Sequence, residues 1–142
     1  VRTRIWGAAV ALAATTVVAG CGLTGSTPDE TPVQSGRIAL AGDSRDTQSV
    51  TCTQIQWQMT IDADADPARA HVYLELGGQN PTVRSVNIEN LNGKHGVAGG
   101  DLGRAEATVD HSTYTITGTA VASDPAKPGQ QLDMPFEIKA PC

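Results

Sequence analysis

The sequence predicts an all-β domain, an antiparallel β-sandwich or curved sheet of about eight short strands. Three observations carry this. From Arg37 onward apolar residues recur with a period of two; clusters of Gly, Asn, Asp and Pro interrupt that period at short intervals; and no helical period competes with it. The 142 residues allow one domain. Aromatic residues make up only 4%, so the core must be assembled from Val, Ile, Leu and Ala, each of which buries less than an aromatic ring. Such a core gains more than most from a covalent staple.

Residues 1–20 read as a cleaved signal peptide. Arg2 and Arg4 supply a positive start, Ile5 to Ala19 supply 15 uncharged residues, and small residues surround the cut. As a helix this run would rise only about 22 Å, short of a hydrocarbon core of roughly 30 Å, which favours a removable leader over a permanent span. Val18-Ala19-Gly20-Cys21 resembles the lipobox of bacterial lipoproteins, in which a diacylglyceryl group alkylates the cysteine thiol before cleavage. The resemblance implies lipidation at Cys21, with the membrane as partner; a coincidental cysteine behind an ordinary signal peptide is the alternative. Of 10 basic residues, Arg2 and Arg4 leave with the leader, so 8 remain against 15 acidic ones, a net charge of −7. An acidic chain without a Lys/Arg cluster argues against a nucleic-acid partner and against electrostatic docking on anionic lipid.

Residues 21–35 hold the lipidated cysteine and a Thr/Pro/Gly-rich tether. They offer too little to bury to offset backbone ordering, and 14 flexible residues reach about 20 Å on average. Thr24, Ser26, Thr27 and Thr31 near Pro28 and Pro32 have the composition of O-glycosylated stalks; an unmodified linker is the alternative.

Residues 36–142 form the β-domain. Ile38 and Leu40 share a face, as do Val50 and Cys52, and Ile55, Trp57, Met59 and Ile61 continue with the opposite parity. That slip predicts a β-bulge at Thr53-Gln54 or a sharp turn there, with Trp57 in the core. Val72, Leu74 and Leu76 face inward until Gly77-Gly78-Gln79-Asn80-Pro81 breaks the strand, and Val86 and Ile88 resume the period. Asn92-Gly93 predicts a type I′ hairpin, because both central positions need positive φ. After a glycine-rich segment to Gly103, Ala105, Ala107 and Val109 alternate with polar residues up to a turn at Asp110-His111-Ser112. Tyr114, Ile116, Gly118 and Ala120 then oppose a face of Thr113, Thr115, Thr117 and Thr119. Phe136, Ile138, Ala140 and Cys142 end the chain on a single face.

With Cys21 assigned to lipid, Cys52 and Cys142 remain, and in an exported domain they most simply form a disulfide; free thiols or metal ligation are the alternatives.

The C-terminal half is similar to the LpqH-type lipoprotein antigens of mycobacteria. The similarity rests on Val83-Arg84-Ser85-Val86, Leu91-Asn92-Gly93, Ala105-Glu106-Ala107-Thr108, Tyr114-Thr115-Ile116-Thr117-Gly118-Thr119-Ala120, and Phe136-Glu137-Ile138 before Cys142. The lipobox, the Thr-rich tether and Cys52 follow the same order. Between Ile55 and Leu76 the similarity is weakest. It implies a surface-exposed acylated envelope protein, read by host Toll-like receptors through its acylated cysteine or acting as an adhesin, and no enzyme activity.

Asp62-Ala63-Asp64-Ala65-Asp66 has the carboxylate spacing that opens an EF-hand, but Pro67 and Tyr73 stand where that loop needs Gly and Glu, which favours an acidic turn. His71, His95 and His111 have no metal-ligand spacing, and no serine sits in a nucleophile-elbow motif. The expectation is therefore no catalytic residue, no metal and no cofactor, and a lipid-anchored protein of the envelope surface acting by binding or display. An envelope lipid or glycolipid carrier with an apolar pocket is the first alternative, and a hydrolase with an unmarked site the second.

Overall fold

A computed structural model describes residues 35–142. Ten strands follow one another: β1 (Arg37–Leu40), β2 (Asp43–Asp46), β3 (Ser49–Ile55), β4 (Gln58–Ala65), β5 (Ala68–Glu75), β6 (Thr82–Leu91), β7 (Lys94–Ala98), β8 (Arg104–Asp110), β9 (Thr113–Ser123) and β10 (Leu132–Pro141). They form one antiparallel sheet in the order β2-β1-β10-β9-β7-β6-β5-β4-β3, with β8 beside β9. The two ends of this order, β2 and β3, are consecutive strands joined only by Thr47 and Gln48. A sheet whose edges are tied by two residues must curl. Thr47 N–H donates to Gly36 O at 2.9 Å on one side of the seam, and Gln48 N–H to Asp64 O at 2.7 Å on the other. The result is a half-barrel, the curved-sheet form of the predicted fold.

The alternation read from the sequence lines the inside of the curl. Ile38, Leu40, Ile61, Val72, Leu74, Val86, Ile88, Ile116, Ile138 and Ala140 are fully or almost fully buried, with Phe136 the only phenylalanine among them. No polar or charged residue is buried among the described residues. Strand β9 is long enough to serve two neighbours on one edge: Thr113 to Thr119 pair with β8, and Val121 to Ser123 pair with β7.

Asn92 and Gly93 have φ of 52° and 79° between the paired Leu91 and Lys94, the predicted type I′ geometry. Three local expectations are corrected. The ladder between β3 and β4 runs without a break from Ser49↔Asp64 to Ile55↔Gln58, so Thr53-Gln54 holds no bulge. The chain instead reverses at Gln56-Trp57, with Gln56 at a φ of 54°, and Ile55 changes parity because it faces solvent. Asp62 to Asp66 is not an acidic turn: Asp62 and Asp64 lie inside β4, alternating with buried Ala63 and Ala65. Only Asp66 belongs to the connection, ahead of Pro67. Finally, there are ten strands rather than about eight.

Cys52 and Cys142 are disulfide-bonded, with Cα atoms 5.8 Å apart across a sequence separation of 90. A second tie joins β7 to β2, where Lys94 Nζ and Asp43 Oδ2 lie 2.6 Å apart and both side chains are partly shielded. The Lys94 hydrogen bond holds the Asp43 carboxyl below its ordinary value of 3.8, and the same bond raises Lys94 above 10.5. A carboxyl lowered on folding stabilises the protein above its unfolded pKa and loses that contribution as pH falls through the folded one. We expect the thermal midpoint to fall as pH drops below about 4, and to fall less in Asp43→Asn, as measured by thermal scans at stepped pH. An equal acid slope in both proteins would mean that the pair is not linked to folding.

Candidate binding surfaces

At one end of the curl the inward-facing register outruns the core. Along β4 the last buried side chain is Met59; Trp57, two residues earlier and of the same parity, is 70% exposed. Along β5 burial ends at Leu74, and Leu76 is half-buried; along β8 it ends at Ala107, and Val109 is 42% exposed. Trp57, Leu76, Pro81, Val109 and Tyr114 thus line an open groove of about 330 Å³. Leu76 N–H donates to Trp57 O at 2.6 Å, which fixes the β3–β4 tip against the segment leaving β5. Ile55, 67% exposed, ends β3 two residues before Trp57. The expected core position of Trp57 is therefore corrected: its parity is right, but no opposing strand extends far enough to cover it.

The outer face of β4, β5 and β6 is polar. Register places Asp64, Arg69 and Glu89 in one row and Asp62, His71 and Asn87 in the next. His71 Nδ1 lies 2.5 Å from Asp62 Oδ1, Arg69 Nε lies 3.3 Å from Asp64 Oδ1, and Asn87 Nδ2 donates to Glu89 Oε1 at 2.9 Å. These residues border a depression of about 450 Å³. All of the charged pairs are half-exposed, so each contributes little to stability. The carboxylates of β4 are engaged by different partners and do not converge, unlike the ligands of a calcium loop. Among the described residues no group of three His, Cys, Asp or Glu could hold a metal ion.

The remaining histidines sit apart. His95, with Val97, Val121 and Gln131, borders a shallow groove of about 420 Å³ between β7, β9 and the segment before β10. His111 occupies the β8–β9 turn beside Asp110, with the two groups 2.6 Å apart and both exposed. The structure therefore leaves the three histidines on separate surfaces. Sequence reasoning missed the apolar end formed by Ile55, Trp57 and Val109. Its one signal was the parity change before Ile55, which marked the hairpin tip.

Cys21, the Val18-Ala19-Gly20 segment before it, and Thr24, Ser26, Thr27 and Thr31 lie outside the described residues. No helix among the described residues is long and apolar enough to cross a membrane.

Comparison with known proteins bears on the whole chain. The sequence model of the Mycobacterium 19 kDa lipoprotein antigen family matches residues 29–142. A protein of Mycobacterium avium subsp. hominissuis named as a lipoprotein is 34% identical over 136 residues, 94% of this chain and 91% of that one. A second so named, from Mycobacterium indicus pranii, is 30% identical, covering 89% of this chain and 97% of its own. Lipoprotein LpqH of Mycobacterium tuberculosis is 35% identical over 109 residues, 75% of this chain and 68% of its own.

Proposed function

The chain belongs to the Mycobacterium 19 kDa lipoprotein antigen family, membrane-anchored lipoproteins of the envelope, and from that premise we propose that it is held by an acylated Cys21 and acts through display and binding rather than catalysis. The observation that carries this reading is the run Val18-Ala19-Gly20-Cys21 at the end of an uncharged segment opened by Arg2 and Arg4. In this reading residues 1–20 are removed, Cys21 becomes the first residue, and residues 36–142 stand on the extracytoplasmic face beyond a 15-residue lipidated tether. One acyl chain would hold such a protein only marginally; two or three, at about 0.8 kcal/mol per buried methylene, hold it for practical purposes permanently. The acylated cysteine is then both the anchor and the determinant that a host Toll-like receptor would read. Thr24, Ser26, Thr27 and Thr31 are the candidate glycosylation sites.

A display role is supported by the solvated outer face of β4, β5 and β6. A carrier would need an enclosed apolar pocket. The grooves described above all open to solvent, and the apolar side chains inside the curl are buried against one another.

The test is intact-mass and terminal-peptide analysis of the protein taken from its native envelope. A chain beginning at Cys21, with the added mass of a diacylglyceryl thioether and an amide-linked acyl group, is expected in the detergent phase. An unmodified Cys21, or a chain that retains residues 1–20, would overturn the anchor.

A further inference from the structure

We infer that the apolar end formed by Ile55, Trp57 and Val109 rests on the membrane interface, so that the domain is oriented on the bilayer rather than merely tied to it. This rests on the proposed anchor at Cys21 and adds a second, non-covalent contact. The argument starts from where the chain enters the domain. Arg37 pairs with Lys139, so Gly36 stands level with Ala140; Ala140 pairs with Tyr114, and Tyr114 with Val109. Gly36, Ala140, Tyr114 and Val109 therefore lie in one row across four neighbouring strands. At 4.7–4.9 Å per strand, Tyr114 stands roughly 10 Å from the point where the tether joins. Trp57 shares the groove of Tyr114.

Only 14 residues, Gly22 to Ser35, separate Cys21 from Gly36. Even fully extended they span about 50 Å. The apolar end is thus within reach of a tether that joins the domain at Gly36. Confinement on a short linker gives an effective concentration in the millimolar range, so a contact too weak to capture a free domain is occupied in the tethered one.

The chemistry of this end suits an interface. Trp and Tyr concentrate at headgroup level because one part of each ring system is apolar and another is polar. Trp57 and Val109 are exposed in the groove, and Ile55, two residues before Trp57, is exposed at the same hairpin tip. Glu75, the residue before Leu76 of the groove, is matched by Arg84. A net acidic chain gains nothing from anionic headgroups, so the contact is apolar and indifferent to salt.

The experiment uses the acylated mature protein in phosphatidylcholine vesicles. Trp6 leaves with the leader, so Trp57 is the one fluorophore of its kind in the mature chain. With the protein co-sedimenting with vesicles, Trp57 emission should shift to the blue, lose at least half its intensity to brominated lipid, and become shielded from aqueous iodide. In Ile55→Ser combined with Val109→Ser, sedimentation should persist while iodide access returns. A vesicle-bound wild-type protein whose Trp57 stays fully open to iodide overturns this inference and leaves the anchor standing. Failure to sediment overturns both. A blue shift that needs high protein density and shows no quenching by brominated lipid would assign the surface to a second copy of the chain, and the membrane contact would again be wrong.

Discussion

Replacing both Cys52 and Cys142 with serine is expected to lower the unfolding free energy by about 3–4 kcal/mol, the largest loss we expect from any pair of surface-accessible positions. The chain-entropy model gives a ceiling near 4.6 kcal/mol for a loop of this length, and such bonds usually deliver less. In the sheet order, β3 is the last strand and β10 the third, yet the bond brings Cys52 and Cys142 to a Cα separation of 5.8 Å. It therefore clamps the curl at a point where no backbone ladder joins the two sides. Cys142 N–H also donates to Ser112 O at 2.8 Å, which places the C-terminus against the β8–β9 turn. The loss should be large relative to total stability because the core holds a single phenylalanine and many alanines. Denaturant titration of the wild type, the reduced wild type and the double variant provides the check. The last two should share a midpoint well below the first, and coincidence of all three would show that the bond does not limit unfolding.

The sequence made the paired interior of this fold readable wherever one face of a strand is buried. Val72, Leu74, Ile116, Ile138 and Ala140 all lie on the faces that parity assigned to them. Asn92-Gly93 was readable for a different reason, since few other dipeptides accept positive φ at both positions. Strand β2 was invisible. Asp43-Ser44-Arg45-Asp46 has no buried face and offers no period to detect; it is held by its ladder to β1 and by Arg45 Nη1 donating to Asp66 O at 2.6 Å. Periodicity also says which way a side chain points but not where its strand leaves the core. Trp57 was misassigned for that reason alone. The same blindness hid the candidate surface, because the end of a core is set by the lengths of strands distant in sequence.

Gly118→Ala should destabilise the protein by about 3 kcal/mol, the upper end of the cost of overpacking, although the change adds only one methyl group. In sequence Gly118 looks like a small member of an alternating face, between Ile116 and Ala120. In the structure it lies at the pairing of β9 with Ala105 of β8 and Phe136 of β10. A Cβ built there would come within 1.8 Å of Arg104 O and 2.9 Å of Ala105 Cα, both backbone atoms. No rotamer change relieves such a contact; β8 must move. Among the described strands β8 pairs with β9 alone, so its displacement would also open the end of the core at Ala107. An exposed position on the same strand, Thr117→Ala, serves as the control and should change stability by no more than about 0.5 kcal/mol. Urea midpoints of the two variants and the wild type decide the matter. A Gly118→Ala protein as stable as the control would mean that β8 packs on β9 less closely than this geometry requires, and that the overlong strand β9 tolerates its two partners without a glycine between them.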